Sequence, residues 1–581
     1  MAVMVRVRLF LELMKRFKNI FTNQQYIYWL FLFMAALPGF FMFFTESTSL
    51  LTRIIQIILP LGFYAWALTW ARKPGKMFWW LFWFMFVDAF QIVLLWLYGE
   101  SPIAVDMFLN VLTTNPGEAT ELLANLLVAV IFVIGLYGLG IAMSIVSLRA
   151  KTTLSDSFRH KQRLWSIPLM VTGLVLLGAN YLVDKNFKAQ DDVFPINGTY
   201  NMGLAIERAV KQSKYESTSK DFTYHATTTR CDTVPEIYVL VIGETSRADN
   251  WSLYGYERNT NPGTQALNNL VVYRDAITMS NTTHKSVPTL MSSAGCEAYD
   301  SLYYRKGIIT AFNEVGYKTA FYSNQQRNHS FIDAFGSEAQ EVKFLKDKIS
   351  LMDLRGTNFD DELVDCVKKR LDQYDGGKLF IVVHMYGSHF NYKDRYPKED
   401  AHFKPDNVIS AERVYRKELI NAYDNTISNT DKVLSSIIRQ VDAKGVNSAV
   451  VFTSDHGEDI FDDERGRFLH ASPIPTYYQV RVPLLVWTSQ GYAQQHPDAV
   501  AQLKAHSSVP VSTNMVVFHT LLDLSGISTP YKKDVLALSN KGFKPHKRLY
   551  INDHNEYRAL DNCGFKQQDI DMFRKNNLQF P

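Results

Sequence analysis

"EIYVLVIGET", residues 236 to 245, carries six consecutive apolar residues into a glycine, an acid and a threonine. A run this short, continuous and rich in β-branched side chains reads as a strand buried on both faces. Two other stretches repeat the form. "KLFIVVHMYGSH" (378 to 389) ends in His384 and, five residues on, His389; "SAVVFTSDHGED" (448 to 459) ends in Asp455, His456 and Gly457. Further strands are expected at 271–277, 318–322, 484–487 and 549–551. Helical patterns lie between them at 287–293, 308–315, 361–374, 411–443 and 513–523. Strands alternating with helices predict an α/β domain whose mostly parallel sheet is covered by helices on both faces. Ligands of such sheets gather beyond the carboxyl ends of the strands.

Ahead of this domain the composition changes. Five apolar stretches, 26–44, 50–70, 77–98, 122–148 and 164–182, are each long enough for a bilayer core, which takes roughly 20 residues. The expected organisation is a five-helix transmembrane domain over 1–183 and a bridging linker with an interfacial helix near 202–214 over 184–230. A catalytic domain over 231–581 follows. Basic residues gather before the first span (Arg6, Arg8, Lys15, Arg16, Lys18), after the second (Arg72, Lys73, Lys76) and after the fourth (Arg149, Lys151, Arg159, Lys161, Arg163). The opposite connections carry Glu46, Glu100, Asp106, Glu118 and Glu121, with Arg53 as the one basic exception. The positive-inside rule then puts the N-terminus in the cytoplasm and the large domain outside. All four cysteines (Cys231, Cys296, Cys366, Cys563) fall in that outer part, where disulfides are able to form. The net charge of +4 averages two unlike parts, so it points to no partner, and no nucleic-acid partner is expected.

The strand ends supply chemistry. Glu244, Asp455 and His456 form an oxygen and nitrogen donor set suited to Zn²⁺ or Mn²⁺, leaving one coordination position for a reacting group. "NTTHKSVPTL" (281 to 290) offers Thr282 and Thr283 for that position. A threonine hydroxyl is a weak nucleophile until a base or metal lowers its pKa. Either threonine satisfies that chemistry. Asp88, inside the third span, is costly in hydrocarbon and so is a functional candidate unless it sits at the interface.

In combination, "VLVIGETSRADNWSLYGYERNTNP" (239 to 262), "NTTHKSVPTLMSS" (281 to 293), "HMYGSHFNYKDRYP" (384 to 397), "TSDHGEDIFD" (453 to 462) and "RFLHASP" (467 to 473) resemble the membrane phosphoethanolamine transferases of Gram-negative bacteria, within the alkaline phosphatase and sulfatase superfamily. The resemblance implies Thr283, three residues before the Ser286-Val287-Pro288 element, as nucleophile, with Glu244, Asp455 and His456 as zinc ligands beside it. It implies His389 and His470 as groups facing the substrate phosphate, and Lys285 is a further candidate for a phosphate oxygen. It implies one tightly bound Zn²⁺, with one or two metals during turnover left open, phosphatidylethanolamine as donor and lipid A or core lipopolysaccharide as acceptor. The expected location is the bacterial inner membrane with the catalytic domain in the periplasm. His284 after the threonine and Thr289 after the proline depart from the lipid A-modifying members, which leaves the acceptor open. If that acceptor is a lipid A phosphate, the cell surface loses negative charge and cationic peptides such as polymyxin bind it less. A formylglycine sulfatase is excluded by Thr283, Lys285 and Val287 where that chemistry needs Cys or Ser, Pro and Arg. A phosphoglycerol transferase of the lipoteichoic acid type and a membrane-anchored phosphodiesterase are the alternatives.

Overall fold

The computed structural model describes residues 21–45, 48–99, 102–113, 127–184, 187–230, 234–348, 359–408 and 410–580. The chain divides into two compact units, Met1–Phe108 with Leu122–Ile206, and Leu109–Glu121 with Glu207–Pro581. The division falls inside the segment expected as a bridge.

The first unit is helical: α1 (Gln24–Thr45), α2 (Leu50–Ala67), α3 (Pro74–Trp80), α4 (Phe82–Tyr98), α5 (Leu127–Arg149) and α6 (Asp156–Val183). Among the described residues four helices are long and apolar enough to cross a bilayer, and the count reaches five only if α3 and α4 form one span bent by 72°. The expected span 77–98 is therefore broken at Leu81, whose backbone (φ −98°, ψ 9°) leaves the helical region. Both arms are apolar, so hydropathy alone passes over the break. α6 starts eight residues before the expected 164, because Ser155 caps it by accepting the Phe158 N–H and its polar first two turns are helical. Asp88 is fully buried within this unit, and neither carboxylate oxygen has a hydrogen-bond partner among the described residues. The basic residues ahead of α1, together with Glu46, Glu100, Glu118, Glu121 and Cys231, lie outside the described residues. The segment expected at 202–214 is helical, as part of α7 (Ile196–Ser213), which buries Asn197, Gly198, Asn201 and Ala205 and exposes Tyr200, Ile206 and Val210.

The second unit is an α/β domain around a seven-stranded sheet. Its strands are β1 (Glu236–Gly243), β2 (Leu270–Val272), β3 (Lys318–Ser323), β4 (Glu341–Phe344), β5 (Lys378–His384), β6 (Asn447–Ser454) and β7 (Leu484–Thr488). They stand in the order β2-β7-β6-β1-β5-β3-β4. β6, β1, β5, β3 and β4 run parallel, and β7 is antiparallel to both of its neighbours. All residues of β1, β5 and β6 are buried, as strands covered on both faces must be. The expected strand 271–277 divides into β2 and a two-residue pairing at Ala276–Ile277, while Leu549–Ile551 belongs to a separate two-stranded sheet. β4 was not expected; it is a four-residue edge strand with a mostly polar, exposed face.

Among the covering helices are α8 (Thr283–Leu290), α9 (Asp361–Asp372), α10 (Arg416–Asp442) and α11 (Thr513–Leu524). Asn514 of α11 ties down α8, its Nδ2 donating to Ser286 O, Ser286 Oγ and Thr289 Oγ1 at 2.9–3.0 Å. Gly295 permits that approach: a Cβ there would lie 1.7 Å from Asn514 O. Gly295→Ala in the full-length protein is expected to destabilise the fold by at least about 1–3 kcal/mol, the usual cost of overpacking. A thermal melt showing no shift would contradict this packing. Cys296, Cys366 and Cys563 are free thiols, so the described residues contain no disulfide.

Candidate active site

Parallel pairing brings three strand ends to one edge of the sheet: Gly243 is opposite Ser454, and Ile242 is opposite both His384 and Thr453. The chain then turns, and Glu244, Asp455 and His456 follow directly. One potential ligand atom from each lies within 4.8 Å of the others, and all three residues are buried. His456 Nε2 is 3.5 Å from Glu244 Oε1 and 3.2 Å from Asp455 Oδ2.

Thr283 completes the cluster. Its Oγ1 is 3.1 Å from Glu244 Oε1 and 3.1 Å from His456 Nε2. The Thr282 hydroxyl instead meets Ser280 Oγ at 3.0 Å, so geometry separates two threonines that chemistry alone could not. The sequence pattern started a helix at 287, but α8 begins at Thr283 and places this hydroxyl on a helix N-terminus. Ser286 Oγ donates to the Asp455 carbonyl at 2.6 Å and holds that first turn against β6.

The donors suit a divalent cation. Asp455 Oδ1 accepts the N–H groups of Thr245 (3.0 Å) and His456 (2.7 Å), whereas its buried Oδ2 has no hydrogen-bond donor among the described residues. Buried polar atoms are rarely left this way. His456 Nδ1 lies 3.0 Å from the Gly457 carbonyl, which is able only to accept, so Nδ1 carries the hydrogen and Nε2 presents its lone pair to the cluster. Burial, then the neighbouring Asp455 charge, pushes the Glu244 carboxyl upward; burial likewise raises Asp455 and holds His456 well below the ordinary histidine range. Two buried carboxyls side by side without a counter-charge are unfavourable as anions, and a bound cation removes that conflict. Two oxygens and one imidazole nitrogen match Zn²⁺ with an open position.

Backbone strain serves the same cluster. Thr245 has φ of 59°, rare for a β-branched residue. In that conformation its N–H reaches Asp455 and its Oγ1 donates to Glu244 Oε1 at 2.8 Å. Gly387 (φ 50°) lets the "MYGSH" turn pass, since a Cβ there would come within 2.6 Å of Glu244 O.

His470 and His389 continue outward from the cluster. The His470 ring centroid is 4.2 Å from that of His456 and 6.1 Å from that of His389. His470 Nδ1 faces Glu458 Oε2 at 3.3 Å, and Glu458 is held by the Tyr392 hydroxyl. His389 stacks on Tyr386, and burial followed by nearby Arg395 lowers its pKa. Lys285 is not brought into this row: it is buried, and its Nζ donates to the Asn552 carbonyl at 2.8 Å.

Sequence reasoning missed Gln325. Its side-chain nitrogen is 3.0 Å from Glu244 Oε2, 3.2 Å from Met385 O and 3.3 Å from His384 Nε2. The carboxylate and carbonyl oxygens are acceptors that converge on one atom, which identifies it as the NH₂ end of the amide. The signal available was positional: Gln325 stands two residues past the carboxyl end of β3, on the edge that holds Glu244 and Asp455.

A family model described as Sulfatase matches residues 236–527. The Kdo(2)-lipid A phosphoethanolamine 7''-transferase of Escherichia coli (strain K12) is 29% identical over 347 residues, 58% of this chain. The match spans 60% of that relative's length. The C-terminal periplasmic domain of EptC from Escherichia coli, solved in complex with Zn, superposes with a TM-score of 0.53 at 25% identity over 59% of this chain and 98% of that one. The integral membrane phosphoethanolamine transferase EptA of Neisseria meningitidis shares the fold, with a TM-score of 0.66 at 19% identity over 88% of this chain and 97% of that one. With half of its length matched by the family model, the chain belongs to the sulfatase family, in the branch whose curated members are named phosphoethanolamine transferases.

Proposed function

We propose that this protein transfers phosphoethanolamine from phosphatidylethanolamine to lipid A or core lipopolysaccharide, on the periplasmic side of the inner membrane. The observation that carries the reading is the placement of Thr283 Oγ1 3.1 Å from both a buried carboxylate and a buried imidazole whose lone pair faces it. Glu244, Asp455 and His456 would hold a zinc ion, which when bound lowers the pKa of a neighbouring hydroxyl and offsets charge on phosphoryl oxygens.

Thr283 Oγ1 gives up its proton and forms a bond to phosphorus; the bond from phosphorus to the diacylglycerol oxygen breaks, and diacylglycerol leaves with a proton. The N-terminal turn of α8 presents its N–H groups and positive dipole end toward the phosphoryl group on Thr283. His389 and His470 donate hydrogen bonds to the phosphoryl or leaving oxygens as charge develops there. An acceptor hydroxyl or phosphate oxygen then attacks phosphorus from the opposite side, the bond to Oγ1 breaks, and Thr283 regains a proton. Glu458 fixes the His470 ring, and Gln325 fixes the outer oxygen of Glu244. Lys285, committed to Asn552, takes no part in this proposal.

Lipid mass spectrometry of glycolipids incubated with the protein and phosphatidylethanolamine tests the reaction. A product heavier by one phosphoethanolamine group is expected, whereas a glycerol phosphate increment would replace the reading with the lipoteichoic acid type. A second expectation concerns Gln325. Gln325→Leu should weaken zinc binding by about 10–100-fold, as loss of an outer hydrogen-bond partner does. Competition against a chromogenic chelator reads this directly, and unchanged affinity would remove Gln325 from the account.

A further inference from the structure

Strand β3 delivers Gln325 to the cluster, and two residues later Arg327 lines a cavity of about 760 Å³, within the range of small-ligand sites. Two residues of chain reach at most about 7 Å, so one wall of this cavity belongs to the segment that carries Gln325. Its other walls come from the end of α7 and the turn after it, from Lys306, and from the segment following β3.

The lining mixes polar groups with Tyr215, Phe331 and Ala334, and its charges are unevenly committed. Glu338 accepts the N–H groups of Gly307 and Thr310 and the Thr310 hydroxyl. Asp333 accepts the N–H groups of Asn328 and His329. Both acids are thus engaged by the protein itself. Arg327 pairs with Asp347 at 2.8 Å. Lys306 Nζ reaches the Lys220 carbonyl at 3.4 Å, and Lys220 Nζ has no ion pair among the described residues. Glu216, exposed at the rim, and His329 are the remaining titratable groups of the lining. Two ammonium groups therefore stand over a cavity whose inner acids are already satisfied. The Gln212 side chain bonds the His329 carbonyl through its nitrogen, which leaves its amide oxygen to accept from a ligand hydroxyl.

We infer that this cavity binds an acidic sugar of the glycolipid acceptor, with its carboxylate or phosphate at Lys220 and Lys306. The inference rests on the proposed function and names which part of the acceptor is recognised. Hydroxyl-rich rings match the amide and serine groups of the lining, and a fixed anion matches two ammonium groups that form no ion pair among the described residues. A neutral or apolar ligand would leave both lysines unused.

The test is binding, measured with full-length Thr283→Ala protein so that turnover does not interfere. Two probes are compared: lipid A carrying its acidic inner sugars, and lipid A stripped of them. The charge-reversed pair Lys220→Glu with Lys306→Glu, added to that background, should weaken binding of the sugar-bearing probe about tenfold, equivalent to 1.4 kcal/mol, and leave the stripped probe unchanged. Equal weakening of both probes, or of neither, overturns the inference. The functional reading fails separately: wild-type protein would then bind the sugar-bearing probe yet transfer nothing to it. The lysines are solvent-accessible, and circular dichroism of the variant reports whether the fold is kept.

Discussion

Replacing Thr283 by alanine is expected to abolish transfer, with a loss on the order of 10³-fold or more, as removal of a covalent nucleophile does. The substitution removes the one atom that lies between Glu244 and His456 and leaves the three buried donors in place. Zinc should therefore still bind, and the melting temperature should change little. Thr283→Ser keeps the oxygen and should retain partial activity. The comparison separates loss of the nucleophile from loss of the site: if Thr283→Ala also lost its metal, the hydroxyl would be a structural ligand and the kinetic argument would fail.

Removing the metal, or neutralising a donor by Glu244→Gln or Asp455→Asn, should cost activity on a comparable scale, with zinc restoring only the chelated wild type. Each amide keeps the shape and removes one of the two negative charges that a divalent cation balances. The pH dependence follows from the same burial. Burial raises both carboxyls, so the metal-free pair retains a proton above the ordinary carboxylate range, whereas His456, pushed downward, is already neutral. Zinc requires ionised carboxylates and a neutral imidazole, so its binding expels the proton shared by the acids and none from His456. Affinity should fall as pH is lowered from 7 toward 5, by about tenfold per unit where one proton is released. Calorimetry in buffers of different ionisation heat counts that proton, and zinc uptake without release would show the acids to be ionised before the metal arrives.

Much of the fold was legible because the sheet centre is made of continuous apolar runs. β1, β5 and β6 read directly from residues 237–242, 379–385 and 449–453, and their ends carry Glu244, His384 and Asp455. What failed to show depends on contacts distant in sequence or on short polar segments. β4 is a four-residue edge strand with one buried position, too little for a period of two to register. Thr283 reads as a loop residue because the helical pattern is expected only from 287, whereas α8 begins four residues earlier and accommodates Pro288 in its sixth position. Lys285 stands two residues from the nucleophile in sequence, and helical geometry turns it toward Asn552. Gln325 bears no charge and belongs to no motif; only the pairing of β3 with β5 brings it to Glu244. Hydropathy marked the apolar stretch 77–98 but not its bend, since aromatic side chains fill both arms.

The central claim is that Thr283 carries the phosphoethanolamine group between donor and acceptor. Peptide mass mapping of the full-length protein, quenched in acid after mixing with phosphatidylethanolamine in the absence of acceptor, tests it most directly. The account predicts one added phosphoethanolamine group on the peptide holding Thr283, absent in Thr283→Ala and discharged when glycolipid acceptor is supplied. Rapid transfer with no adduct on that peptide would contradict it and point to direct attack by the acceptor.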